Sequence, residues 1–250
     1  MNQFETAVVY SDGACRGNPG PGGWGAIVIL PGSFTVRELG GGSDATTNNR
    51  MEIRGAMEGL RYAFENCAPD VPVVVFTDSV YVIRGITQWI FGWRRREWKN
   101  SEGDEVANRD LWEEFWILLN HYGGGRRVKW NFVRGHQGIA GNERCDEIAV
   151  AFSKRQWIPL YSGPLVGYPL PITDFPQPEP LPEIKNVAAE KKQAYSYLSL
   201  VNGQLRRHTD WPSCEAAVRG RSGARFKKAM SPAEEEEIVA SWGYSVEDIS

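Results

Sequence analysis

FETAVVYSD, residues 4–12, and VPVVVFTD, residues 71–78, are two apolar runs that each end on an aspartate. Continuous runs rich in valine fit strands buried on both faces of a sheet. Asp12 and Asp78 then stand at strand ends, where open α/β sheets present their ligand sites. Between the two runs, WGAIVIL (24–30) and FTVRELGGG (34–42) read as further strands, joined to the first by short connections as an antiparallel meander. From Thr47 to Glu65 the apolar residues Ile53, Ala56, Met57, Leu60 and Phe64 recur at spacings of three and four, one face of a helix. A second helical run carries Ile83, Ile86, Trp89, Ile90 and Trp93, and a third Leu111, Trp112, Phe115, Leu118, Leu119 and Tyr122. After a glycine break at 123–125, VKWNFV (128–133) reads as a fifth strand and GNERCDEIAVAFSKR (141–155) as a last helix. Hairpins followed by strand–helix alternation predict an α/β fold with a mixed five-stranded sheet flanked by helices.

The composition supports a packed interior: 250 residues, 42% hydrophobic and 24% charged. No apolar run reaches the roughly 20 residues of a membrane span. The start, MNQFETAVVY, lacks a basic leader with a cleavage site. A cytoplasmic protein with no membrane association is expected. Cys15, Cys67, Cys145 and Cys214 form no CxxC pair, so neither zinc nor a disulfide framework is predicted. The net charge of −3 does not speak for nucleic acid, and cations have to be weighed locally. Eight of fifteen prolines fall within 159–182, in a stretch with no helical or alternating period. The expected organisation is a main domain over 1–155, a proline-rich linker over 156–194 and a small module over 195–250.

Asp12 and Asp78 are joined by two further acids on packed faces. Glu52 precedes Ala56, Gly59 and Ala63 at spacings of four, three and four, on the side of the helix that meets the sheet. Asp146 flanks the Cys145, Ile148, Ala149, Phe152 stripe of the last helix. Buried carboxylates are costly unless paired or bound to metal. Four oxygen donors without matching Lys or Arg point to hard cations, Mg²⁺ above all.

The motifs resemble ribonuclease H type 1. YSDGACRGNPGPGGWGAIV is similar to that family's first strand and glycine-rich turn, TTNNRMEIRGAMEGL to its first helix, and VVVFTDSVYV to its fourth strand. ITQWIFGWRRREWK resembles its basic protrusion, and HQGIAGNERCDEIA its final loop and helix. The likeness runs in order over about residues 4–152. It implies a ribonuclease H-like fold and an endoribonuclease that hydrolyses the RNA strand of RNA–DNA hybrids, leaving 5′-phosphate and 3′-hydroxyl ends. The implied metal ligands are Asp12, Glu52, Asp78 and Asp146, holding two Mg²⁺ ions with the substrate, Mn²⁺ being a substitute. Such a pair can activate water and stabilise the leaving oxygen. The loop histidine of the family falls on His136, in the role of proton shuttle or product-release aid. Its hybrid contacts fall on Gly13, Cys15, Asn18, Asn48 and Asn49, with Thr47 and Asn18 near a phosphate of the DNA strand. Where family members often carry glutamines, this chain has Val80 and Arg84. Arg84 is therefore expected on a phosphate instead of a base edge.

Trp93, Arg94, Arg95, Arg96, Trp98 and Lys99 crowd one short segment. Clustered cations supply salt-sensitive phosphate affinity, and tryptophans supply a stacking platform. A basic helix packed by its own tryptophans is the alternative. Residues 195–230 carry seven Lys or Arg against Asp210 and Glu215, on a predicted hairpin with an Asn202–Gly203 turn, a short helix, a third strand and a capped last helix. This segment resembles the small α+β hybrid-binding domain of viroplasmin-type proteins, which implies substrate contacts at Tyr197, Trp211, Phe226, Lys227 and Lys228. RNA–DNA hybrid is the partner so implied, with double-stranded RNA as a second duplex for the module; no protein partner is specified. The rival readings are a DNA-directed nuclease of the same fold and a hybrid-binding protein without turnover.

Overall fold

A computed structural model describes residues 5–122, 128–183 and 194–249. The predicted glycine break at 123–125 and positions 184–193 of the predicted linker lie outside the described residues. The chain divides into two compact units, Met1–Pro182 and Glu183–Ser250.

The first unit is built on β1 (Ala7–Cys15), β2 (Gly20–Leu30), β3 (Thr35–Thr46), β4 (Val73–Thr77), β5 (Val128–Phe132) and β6 (Ser162–Pro164). They lie in the order β5-β4-β1-β2-β3-β6. β4 runs parallel to both β1 and β5, while β1, β2, β3 and β6 pair antiparallel. Successive side chains of a strand point to opposite faces. Accordingly Ala7 and Val9 join one buried cluster and Val8 and Tyr10 another. The first face is covered by α1 (Asn48–Asn66) and α4 (Arg109–Ile117), through Ile53, Met57, Leu60, Trp112 and Phe115. The second is covered by α5 (Ala140–Ser153), through Cys145, and by Tyr168 and Ile172.

Two features of the fold depart from the sequence expectation. The sheet has six strands and not five, because the proline-rich stretch, read as a linker from residue 156, is laid on the first unit as far as Pro182. Its β6 pairs with β3, an edge that would otherwise leave backbone groups unpaired, and prolines are tolerated on an edge strand. Buried Glu38 of β3 anchors it by accepting hydrogen bonds from the Tyr168 hydroxyl at 2.6 Å and the Tyr161 N–H at 2.9 Å, beside the Arg144 guanidinium at 2.8 Å. The apolar contacts of this stretch follow no helical or strand period, so its sequence hides its packing. The second is the helix expected through Ile83 and Trp93. It is broken into α2 (Val80–Arg84), a π-helical turn at Gly85–Trp89 and α3 (Ile90–Arg95). Only glycine fits at position 85, where a Cβ would collide with the Trp112 ring.

The second unit is a three-stranded sheet in the order β8-β7-β9, from β7 (Ser196–Val201), β8 (Gln204–His208) and β9 (Arg225–Ala229). α6 (Trp211–Val218) and α7 (Pro232–Ser241) accompany it. Asn202 and Gly203 both have positive φ, as a tight hairpin turn requires. Asp210 caps α6 by accepting from the Ser213 N–H at 2.8 Å, and Ser231 caps α7 by accepting from that of Glu234. Leu198, Leu205, Ala229, Ile238 and Val239 form its core. Among the described residues no helix is long and apolar enough to cross a membrane.

Candidate active site

The parallel pairing of β1 with β4 ends on the rung Tyr10–Phe76, and Asp12 and Asp78 follow two residues later on each chain. Glu52 reaches the same end because α1 packs tightly on β1. A Cβ at Gly13 would collide with the Glu52 backbone, so glycine there lets the helix approach. α5 approaches β2 in the same way at Gly25, beneath the Cys145 carbonyl, and carries Asp146 on its next residue.

Asp12 is buried, its Oδ1 accepting from the Gly13 N–H at 2.7 Å. Its carboxyl pKa is pushed up to about 8, first by burial, then by the neighbouring charges of Asp78, Asp146 and Glu52, against the opposing pull of the Gly13 N–H. Burial likewise raises Glu52 and Asp78. Glu52 is held at both oxygens. Asn48 Nδ2 donates to Oε1 at 2.8 Å and Ser79 Oγ donates to Oε2 at 2.5 Å. Ser79 is itself fixed as the N-cap of α2, accepting from the Val82 N–H at 3.1 Å. At Asp78 the rise caused by burial is opposed by the Asn142 side-chain hydrogen bond and, more weakly, by His136. The sequence pattern does not mark Ser79 or Asn142 as site residues. The signal for Ser79 was its place directly after Asp78 at a helix start.

Three acids thus act on the ionisation of a fourth, an arrangement that a bound cation would relieve. Among the described residues no three His, Cys, Asp or Glu side chains stand in a ready-made cage for an ion. The donors are all oxygens, which fits Mg²⁺, an ion that keeps waters and substrate phosphates in its shell instead of requiring an all-protein cage.

His136 is exposed on the turn after β5, at a φ of 56°. The preceding Gly135 lies against Asp78 so closely that a Cβ would collide with its carboxylate. The half-buried Cys15 directs its thiol to the carbonyls of Gly17 at 2.8 Å and Thr46 at 3.4 Å, pinning the glycine-rich turn near the start of α1. Asn18 and Asn49 are exposed, and Thr47 is the N-cap residue of α1 without a side-chain cap bond.

The protrusion divides its residues. Trp93 and Trp98 pack on the main core, Trp93 within 5.6 Å of the Trp112 ring, so the tryptophans are structural in part. Arg94, Arg95, Arg96 and Lys99 remain exposed, with the Arg94 guanidinium 4.0 Å from the Trp116 ring centroid. Arg84 departs from expectation. It is buried and donates to the Pro182 carbonyl, so its side chain is committed inside the unit and not presented to a phosphate. In the second unit Trp211 sits between Tyr197 at 5.9 Å and Phe226 at 5.4 Å. The register puts Lys228 opposite Tyr197 on the aromatic face, and Lys227 opposite Leu198 on the other.

The ribonuclease H family model matches residues 5–154. A ribonuclease H of Cyanothece sp. is 49% identical over 149 residues, 60% of this chain and 90% of that protein. One of Thermosynechococcus vestitus is 49% identical over 156 residues, 62% of this chain and 94% of that protein. Among solved structures, LC9-RNase H1, a type 1 RNase H with the type 2 active-site motif, is 36% identical with a TM-score of 0.52, covering 61% of this chain and 74% of that one.

Proposed function

The chain belongs to the ribonuclease H family, whose reaction is hydrolysis of the RNA strand of RNA–DNA hybrids, and we propose that it performs that reaction at Asp12, Glu52, Asp78 and Asp146. The observation that supports this most strongly is the ionisation of Asp12, held up to about 8 by burial and by the other three acids. A group of carboxylates that suppress one another's charge gains most from a divalent cation, and a protein that only bound phosphates would be hindered by it.

Mg²⁺, with Mn²⁺ as a substitute, supplies the Lewis acidity that activates an attacking water and stabilises the leaving 3′ oxygen. Asp12, Glu52, Asp78 and Asp146 would hold such ions together with the substrate phosphate. Asn48 and Ser79 aim Glu52, and the Gly13 N–H aims Asp12. His136, on its exposed turn, moves a proton to the leaving oxygen or helps release product, and the products carry 5′-phosphate and 3′-hydroxyl ends. Gly13, Cys15, Asn18, Thr47, Asn48 and Asn49 read the hybrid across its shallow groove, where the 2′-hydroxyl marks RNA. With its thiol engaged by the Gly17 carbonyl, Cys15 contributes through its backbone. Arg94, Arg95, Arg96 and Lys99 meet the backbone charge of the duplex.

In the second unit Tyr197, Trp211 and Phe226 form a stacking surface with Lys228 on the same face, which suits a hybrid-binding module and accommodates double-stranded RNA as well. Joined to the catalytic unit in one chain, it raises the local concentration of duplex and favours repeated cuts. The four cysteines are free thiols, which suits the reducing cytoplasm.

The test presents one labelled sequence as hybrid, double-stranded RNA, double-stranded DNA and single-stranded RNA, each with Mg²⁺ and with chelator. Metal-dependent cutting of the hybrid's RNA strand alone is expected. Cutting of double-stranded DNA would favour the DNA-directed rival.

A further inference from the structure

His136 sits in a left-handed backbone conformation that non-glycine residues rarely adopt, between Gly135, wedged against Asp78, and Gly138, at a φ of 74°. Such a turn persists only where its surroundings hold it. On its far side the Gly138 N–H donates to Glu143 Oε1 at 2.9 Å, within α5. On its near side the holder is different. Arg134 Nε lies 2.6 Å from Glu179 Oε2 in an ion pair, and the Glu179 N–H donates to the Phe132 carbonyl at 3.0 Å. Glu179 belongs to the proline-rich strap, beyond residues 5–154 that the family model matches.

The strap grips this end of the sheet at two further points. Phe175 stacks on Phe76 with ring centroids 6.2 Å apart, two residues before Asp78. The Pro182 carbonyl accepts from buried Arg84 on α2, the helix that follows Asp78. Between these two anchors the course of the strap is set, and Glu179 is delivered to the end of β5.

We propose that Glu179 is a positioning residue for the reaction, holding Arg134 so that the Gly135–His136 turn stays at Asp78. The proposal rests on the reading of His136 as a participant in proton transfer or product release. The ion pair is 64% exposed on the Arg134 side and 38% on the Glu179 side, so its effect is that of one surface pair added to a strap already fixed at both ends.

The test is steady-state cleavage of hybrid by the full chain in four forms: Glu179→Ala, His136→Ala, both together, and the swapped pair Glu179→Arg with Arg134→Glu. Glu179→Ala should lower kcat about fivefold, the scale of one exposed ion pair, with KM within about twofold. In the His136→Ala background it should add nothing, because Glu179 acts through that residue. The swapped pair should recover most of the lost kcat, which a general loosening of the strap would not allow. An unchanged or raised kcat for Glu179→Ala, or an equal loss with and without His136, would overturn the proposal. A normal loss for His136→Ala alongside an inert Glu179→Ala defeats the strap and leaves the reading of His136 standing. An inert His136→Ala defeats both.

Discussion

Asp12 and Asp78 stand two residues beyond Tyr10 and Phe76, the last rung of parallel pairing between β1 and β4, so two neighbouring strands deliver carboxylates to one end of the sheet. Their closeness has a cost in the metal-free protein. Burial and the other acids push the Asp12 pKa up to about 8 from an ordinary value of 3.8. The folded state therefore holds a proton that the unfolded chain releases, and stability is lost as pH rises between those two values. Metal-free protein should melt at progressively lower temperature from pH 5 to pH 8. Asp12→Asn should flatten that slope and melt at least about 3 °C higher at pH 8. Identical melting profiles for the two proteins would refute the electrostatic account.

The same ionisation governs metal loading. A carboxyl must lose its proton to bind a cation, so cleavage at limiting Mg²⁺ should increase with pH up to about 8. Saturating Mg²⁺ should shift the rise to lower pH, since the cation competes with the proton. A rate profile that ignores Mg²⁺ concentration would count against ligation by these acids.

Glu52 depends on two donors for its orientation. Ser79→Ala and Asn48→Ala each remove one of them, and partners of that kind typically contribute 10–100-fold to metal affinity. Each variant should need roughly tenfold more Mg²⁺ for half-maximal cleavage, readable from a metal titration at fixed hybrid.

Where the catalytic unit ends is open to direct measurement. A chain stopped after residue 155 loses buried Tyr168 and Ile172 and uncovers Tyr10 and Phe76. It should be less stable by roughly 3 kcal/mol or more, as for deletion of large buried side chains. A chain stopped at Pro182 should keep the stability of the unit and its kcat, while losing hybrid affinity and salt tolerance. Equal denaturation midpoints for the two truncations would show that the strap contributes nothing.

Trp211→Ala in the full chain removes the middle of the aromatic surface of the second unit and should weaken hybrid binding by roughly 1–3 kcal/mol with little change in kcat. Filter binding at two salt concentrations would read it, and unchanged affinity would place the module's ligand elsewhere.

The parts legible in the sequence were those with a period or a punctuating residue. Valine runs marked β1 and β4, the three-and-four spacing marked α1, and Asn202–Gly203 marked the terminal hairpin. The four acids stood out because each interrupts an apolar pattern. The strap escaped because it packs through irregularly spaced Tyr161, Tyr168, Ile172 and Phe175 and by lending backbone to the β3 edge, neither of which leaves a periodic trace. The place of Arg84 is illegible for the same reason, its partner being a carbonyl 98 residues away. Trp93 and Trp98 look like a platform in sequence, and only the position of Trp112 shows that they are largely packing.

The most direct measurement is single-turnover cleavage of a labelled RNA–DNA hybrid by Asp12→Asn, with hybrid affinity measured on the same protein. Loss of a metal ligand should lower the rate by at least about 100-fold, beyond the effect of any outer partner, while affinity is retained or improved because a negative charge facing phosphates is gone. Mg²⁺-dependent cleavage within tenfold of the unaltered chain would contradict the assignment of the metal site to these carboxylates.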